Sequence, residues 1–279
     1  MKIISAVHYV IFIAALLAVA GWSRPGNAAS PKLVLTGAST IAPLAGELAR
    51  RFESLHPGVR VDVQTGGSAR GIYDSRKGTA DIGMVSRSLK PEEQDLQAHT
   101  IAWDGIGIIL HASNPVTSLS KQQIIDIYSG KIINWNAVGG RDAPVTVVNK
   151  AEGRSTLELF LTYAKLKNSD IKSHVVIGDN SQGIKTVAGN PNAIGYVSIG
   201  AAEYEAGHGV PIKLMPLDGV AATVANVRNG TFPLSRPLNL VTRTLPEGLV
   251  LKFIEFARSG QVHDLVEAQY FVPVSVLLH

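Results

Sequence analysis

The 279-residue chain has no cysteine. Disulfides, thiolate metal sites and cysteine nucleophiles are therefore excluded, and so is the lipid anchor that needs a cysteine beside an export cleavage site. Charge is also sparse: 17% of residues are Asp, Glu, Lys or Arg, and aromatics make up only 6%. The bases occur singly, with no basic run and no interleaved aromatics, which argues against a nucleic-acid partner. Catalytic signatures are missing too. No Gly-x-Ser-x-Gly occurs, and Gly66-Gly-Ser-Ala-Arg70 breaks at its last position. None of the eight histidines forms a His-x-x-x-His pair, Gly105-Ile-Gly-Ile-Ile-Leu110 lacks the last glycine of a dinucleotide loop, and there is no P-loop. An enzyme, although the main rival from another class, is disfavoured, and neither cofactor nor metal is expected.

The longest apolar run is Val10–Gly21, twelve residues, against the ~20 of a spanning helix. It follows Lys2 and precedes Pro25, Gly26 and the small residues Ala28, Ala29 and Ser30, the pattern of a secretory signal peptide. Residues 1–28 are thus expected to be removed, leaving a soluble periplasmic protein that is not a lipoprotein. The formal charge of +4 (26 bases, 22 acids) loses Lys2 and Arg24 on that cleavage and becomes +2. Without disulfides, the remaining ~250 residues must rely on a hydrophobic core, as one large domain or two lobes.

That remainder alternates strand and helix. Leu33-Val-Leu35 is a short strand; Leu44, Leu48, Phe52 and Leu55 share one helical face; Val59–Val63 alternates as a strand does; Gly66–Gly71 opens another helix; Asp81–Val85 is a third strand. Strand–turn–helix repeated in this way predicts a parallel sheet with covering helices. Two strand-like runs, near 105–113 and 235–243, look like crossings between lobes. Between them lie a helix over 121–128, a strand over 145–148, a helix over 157–165 and a strand over 194–198; a helix over 249–257 follows. The expected architecture is α/β. Lobe 1 comes from both chain ends (29–110 and 238–279), and lobe 2 is inserted between them (111–237).

Three turns share one chemistry, small and hydroxyl-rich at a helix start: Ser39-Thr40, Ser68 to Gly71, and Ser155-Thr156 after Gly153. Each alone reads equally as an ordinary N-cap. Together they can also form an anion site, because a helix N-terminus presents unpaired N–H groups and partial positive charge. Arg70, Arg87, Lys150 and Arg154 lie beside them, and Arg87, directly after a strand and Ser86, stands out.

Leu35–Leu44, His56-Pro-Gly58, Gly66–Gly71, Ala80–Lys90, Ile127–Trp135 with Gly139-Gly140, Gly195-Tyr196 and Phe232–Pro237 resemble, in order, motifs of the phosphate ABC-transporter substrate-binding (PstS-type) family. The resemblance implies a two-lobed, type II periplasmic-binding-protein-like fold, each lobe a mixed sheet flanked by helices, with a two-strand hinge. It implies an oxyanion, phosphate foremost, held in the cleft for a membrane ABC permease by a monomeric protein. The contacts carried over are Ser39, Thr40, Ser68, Ser86, Arg87, Lys150, Arg154, Ser155 and Thr156. Lys150-Ala-Glu-Gly-Arg-Ser-Thr156 departs from the family's arginine followed by Gly-Ser-Gly-Thr: Lys150 replaces the arginine and Arg154 a serine. Arg154 either binds the anion directly or points away and leaves its N–H to do so. Glu152 and Asp81 are the acids near the motifs, with Glu152 preferred as an acceptor for the proton of hydrogen phosphate. The alternatives are sulfate, molybdate or a phosphonate as ligand, or an exported sensor or adhesion protein on the same fold.

Overall fold

The apolar residues of Lys32–Gly37 (β1) alternate between the two faces of a sheet, and a computed structural model, which describes residues 31–274, shows what they bury against. The expected signal segment lies outside the described residues. From β1 the chain enters Ala42–Leu55 (α1), whose inner face is Leu44, Ala45, Leu48, Ala49 and Phe52. Leu55, expected on that face, is 54% exposed, because it sits at the last helical position before His56-Pro57 turns the chain. Arg60–Thr65 (β2), Ser68–Lys77 (α2) and Ile82–Val85 (β3) follow, with β2 and β3 both parallel to β1.

The next strand, Gln97–His111 (β4), is fifteen residues long and spans ~50 Å when extended. Sequence periodicity exposed only its second half, since residues 97–100 are exposed or half-buried. Beyond it come Lys121–Tyr128 (α3), Thr146–Lys150 (β5), Ser155–Ala164 (α4), Val175–Ile177 (β6), Asn180–Ala188 (α5), Ala193–Ser198 (β7), Ile199–Gly207 (α6), Ile212–Met215 (β8) and Val224–Arg228 (α7). Ser235–Thr242 (β9), Gly248–Arg258 (α8), His263–Ala268 (α9) and Val272–Pro273 (β10) complete the chain. The strand order is β2-β1-β3-β9-β4-β7-β5-β6, with β8 and β10 also on β4. Pairing is parallel for β1 with β2 and β3, and for β5 with β6 and β7. It is antiparallel where β9 meets β3 and β4, and where β4 meets β7.

β4 and β9 run side by side and change cores together. Ile101 and Ala102 of β4, with Leu238 and Leu240 of β9, pack with Leu35, Leu48, Phe52, Met84 and Phe253. Ile106, Ile108 and Leu110 pack instead with Tyr128, Trp135, Phe160 and Tyr196, a cluster that also takes Phe232. Ile109, on the opposite face of β4, belongs to a further cluster with Val148, Ile184 and Val197. Both faces of that half-strand are therefore covered, which explains its unbroken apolar sequence. Gly105 and Gly107 fit because a Cβ would lie 2.6 Å from Ile199 Cδ1 and from Leu214 Cδ2, respectively. At the change of core, Asp104 of β4 lies opposite Arg236 of β9.

Candidate functional site

Arg236 and Asp104 are each almost wholly buried, at 1% and 2% exposure. The guanidinium donates from Nε (3.1 Å) and Nη2 (2.8 Å) to Asp104 Oδ2. Asp104 Oδ1 accepts from Ser198 Oγ (2.9 Å) and the Gly200 N–H (3.3 Å). A buried ion pair is tolerable when its remaining donors and lone pairs are occupied in this way. What Arg236 has left points at hydroxyls. Nη1 donates to Thr156 Oγ1 (3.0 Å) and more distantly to Ser86 Oγ (3.4 Å), and Nη2 donates to Thr40 Oγ1 (3.3 Å). Asn180 Nδ2 also donates to Thr40 Oγ1 (3.2 Å), while Asn180 Oδ1 accepts from Lys150 Nζ (3.1 Å). The Ser86 N–H donates to Ser68 Oγ (3.2 Å).

The expected hydroxyls thus meet, and they meet without capping their helices. No side-chain cap closes α1, α2 or α4, whose N-cap residues are Ile41, Gly67 and Arg154. Among the described residues α3, α5, α6 and α7 do have such caps, from Ser120, Asp179, Ser198 and Thr223. Apart from the Ala69 N–H, taken by Gly153 O, and the Leu157 N–H, taken by Arg154 O, first-turn N–H groups of the three uncapped helices can meet an anion. Thr40 and Thr156 accept from Arg236, and each still has an O–H to donate. Ser155 Oγ is buried with no partner among the described residues. Ser39 is half-buried and lines a cavity of about 410 Å³ that Thr40, Asn180, Tyr204 and Phe271 also border.

The loops close on each other through glycine. The Ala69 N–H donates to Gly153 O (3.2 Å). Gly67 has φ +93°, and a Cβ there would lie 2.5 Å from Gly153 O and 2.9 Å from Arg154 Cδ. Arg154 therefore lies over Gly67, and its buried Nε lacks a partner among the described residues.

The bases divide differently from the sequence expectation. Arg87 is buried, but its donors go to Glu93 (2.6 and 2.8 Å), Glu158 of α4 (2.8 Å) and Ser88 O (3.0 Å). Burial opposes the charge of Glu93, yet the bonds from Arg87 and the Lys90 N–H hold its carboxyl below the ordinary carboxylate range. Arg70 binds Asp74, Gln64 and Thr65 O. Lys150 is 2% exposed. Burial, and after it the charge of Arg236, bring its pKa down to about 7. Neither acid near the motifs is in the cluster: Asp81 accepts from the Val34 N–H (2.7 Å), and the exposed Glu152 accepts from Asn168 Nδ2 (3.0 Å). The acid present is Asp104. Sequence reasoning missed Asp104, Asn180 and Arg236. Arg236 lay within the noted Phe232–Pro237 stretch, and its standing as the one charged residue of β9 was the available signal.

The model of the PBP superfamily domain matches residues 23–261. The chain belongs to that superfamily, with its PstS-type members. Phosphate-binding protein PstS of Bacillus subtilis is 27% identical over 95% of this chain and 91% of its own length. A Clostridium perfringens protein assigned to a phosphate ABC transporter as its substrate-binding protein, and crystallised with bound phosphate, superposes with a TM-score of 0.80. It is 33% identical, over 87% of this chain and 99% of its own. An ABC-type phosphate transport receptor from Vibrio cholerae gives a TM-score of 0.71 at 30% identity, with the same coverage. The fold is accordingly the mixed α/β, two-lobed type II fold of periplasmic binding proteins, and the family is one of binding proteins, not of enzymes.

Proposed function

We propose that this chain is an exported solute-binding protein that captures an oxyanion, inorganic phosphate foremost, between two lobes for uptake by a membrane ABC permease. One observation carries the reading. Arg236 gathers Thr40, Ser86 and Thr156 from three separate turns, and the helices that start beside Thr40, Ser68 and Thr156 carry no side-chain cap. Guanidinium, hydroxyls and free backbone N–H groups converging in a water-poor site suit a tetrahedral oxyanion. Its contacts are assigned to Ser39, Thr40, Ser68, Ser86, Lys150, Ser155, Thr156 and the N–H of Arg154, with Asn180 and Arg236 added. Arg87 joins as a cross-cleft tie to Glu158 rather than as a donor to the anion.

Phosphate is favoured over sulfate, molybdate or a phosphonate by the bound phosphate of the C. perfringens relative. The lobes are assigned to either side of Gly105 and Ser235, inside both expected hinge windows and where the cores change. Residues 1–28 are assigned to export to the periplasm, on the run Val10–Gly21, and the released protein acts as a monomer. Calorimetric titration of ligand-stripped protein with phosphate, sulfate and molybdate tests the reading, with phosphate expected to bind most tightly. Tighter binding of sulfate or molybdate would move the ligand. Binding of none would move the protein to the sensor or adhesion class.

A further inference from the structure

Lys150 ends β5 in a place where an ammonium group is costly. Its Nζ makes one hydrogen bond among the described residues, to the neutral amide of Asn180, and no carboxylate lies at ion-pair distance. The groups that face it come from every neighbouring element. Arg236 approaches from β9, Arg154 from the turn before α4, and Asp179 from the start of α5. Tyr196 of β7 takes the Lys150 N–H (3.3 Å), donates to Asn149 (2.5 Å), and is kept protonated by burial. The carboxylate of Asp104 is already occupied by Arg236, Ser198 and Gly200. Lys150, Arg154 and Arg236 thus face Asp104 and Asp179, one positive charge in excess when Lys150 is protonated and none when it is not.

We infer that Lys150 gives up its proton readily in the ligand-free site and regains it when the anion arrives, so that capture of a phosphate dianion carries proton uptake at this side chain. The inference rests on the oxyanion reading above. The depressed ammonium pKa agrees with the geometry, and an arriving dianion reverses its cause by supplying the missing counter-charge. Arginine at this position would stay charged and would show no such linkage. Above about pH 7, affinity for the dianion therefore falls by about tenfold per pH unit, as one linked proton requires.

Two measurements test this, and the first needs no ligand. In ligand-stripped protein carrying ¹³C-lysine, the Cε signal absent from Lys150→Arg should titrate near pH 7, while exposed lysines titrate near ~10.4. The second is calorimetric titration with inorganic phosphate in two mildly alkaline buffers of different ionisation enthalpy, where free phosphate is almost wholly the dianion. Wild type should take up about one proton per phosphate bound, and Lys150→Arg about none. Lys150→Met, uncharged and similar in length, should lose more than tenfold in affinity together with the uptake. A Lys150 that titrates with the exposed lysines, or phosphate binding by wild type without proton uptake, overturns this inference and leaves the binding function standing. A Lys150 that titrates near pH 7 in a protein that binds no phosphate overturns both.

Discussion

Thr156 and Arg87 were both expected to touch the anion, and their surroundings now predict opposite phenotypes. Thr156 caps nothing and gives its oxygen to Arg236. Thr156→Val should therefore weaken phosphate binding by roughly ten- to a hundredfold, the ~1.5–3 kcal/mol typical of a hydrogen bond to a charged group, with the melting temperature of ligand-free protein little changed. Arg87→Met strips buried Glu93 of its guanidinium partner and leaves Glu158 with Lys90 alone. Breaking a buried pair from one side costs about 3–5 kcal/mol, so stability should fall more than affinity. The acid side supplies an independent check. The pKa of Glu93 is depressed in the fold, so its stabilisation is present above the unfolded value of ~4.3 and is lost as pH falls through the folded value. Urea unfolding across that range should show a steeper loss for wild type than for Arg87→Met; equal slopes would remove the pair from the stability account. These fates also mark what one-dimensional reading reaches. The hydroxyls of Thr40, Ser68 and Thr156 were legible, because small polar residues at helix starts are a local signal, whereas Ser86 follows a strand and was legible only through the family resemblance. Arg236 was not, because what selects it is Asp104, 132 residues away in the chain. Arg87 was legible as a base after a strand, but its occupation depends on Glu93 and Glu158, to which no local pattern points.

Strands and helices follow the same division. α3 matches its expected span of 121–128 because Ser120 and Gln123 form a reciprocal capping box around it. α1, β3 and β7 lie within a few residues of expectation, each carried by a strong apolar pattern. By contrast, α6 buries only Ile199, Gly200 and Ala202 and so has little amphipathic contrast to detect, while β8 has four residues. The close approach of the turns before α2 and α4 was foreshadowed only as glycines placed near hydroxyls, and it yields a sharp test. Gly67 has φ +93° and ψ 163°, a region that is essentially glycine's alone and costs other residues about 1–3 kcal/mol. A methyl there would also press on Gly153 O. Gly67→Ala should lower the ligand-free melting temperature by a few degrees and should cost at least tenfold in phosphate affinity, because the two turns can no longer meet. Wild-type affinity in this variant would detach the loop contact from binding.

Several contacts that tie one core to the other lie beside the proposed site: Ala69 with Gly153, Arg87 and Lys90 with Glu158, Asn180 with Thr40, and Arg236 with Thr156; Arg228 with Glu267 ties them at another place. β4 and β9 lead side by side from the Phe52 core toward the Tyr128 core, and the chain passes between the two cores again at Phe271-Val272. Rotation about Gly105 and Ser235 would break the ties beside the site, so the expected motion is opening and closing about this strand pair. A ligand that contacts both sides binds the closed form preferentially and shifts the population toward it. Phosphate should accordingly raise the melting temperature in proportion to the logarithm of its concentration, with about 2.7 kcal/mol of added stability at a hundred times Kd. The radius of gyration from solution scattering should contract over the same titration. Glu158 supplies a separate handle on the equilibrium, because its carboxylate bridges Arg87 (2.8 Å) and Lys90 (3.0 Å) across the cleft. Glu158→Gln removes that attraction and leaves the anion cluster intact. It should expand the ligand-free protein and weaken phosphate binding, while the scattering curve at saturation matches that of wild type. If the dimensions of wild type are the same with and without saturating phosphate, closure about β4 and β9 is excluded, and the ties across the cleft are permanent parts of the fold.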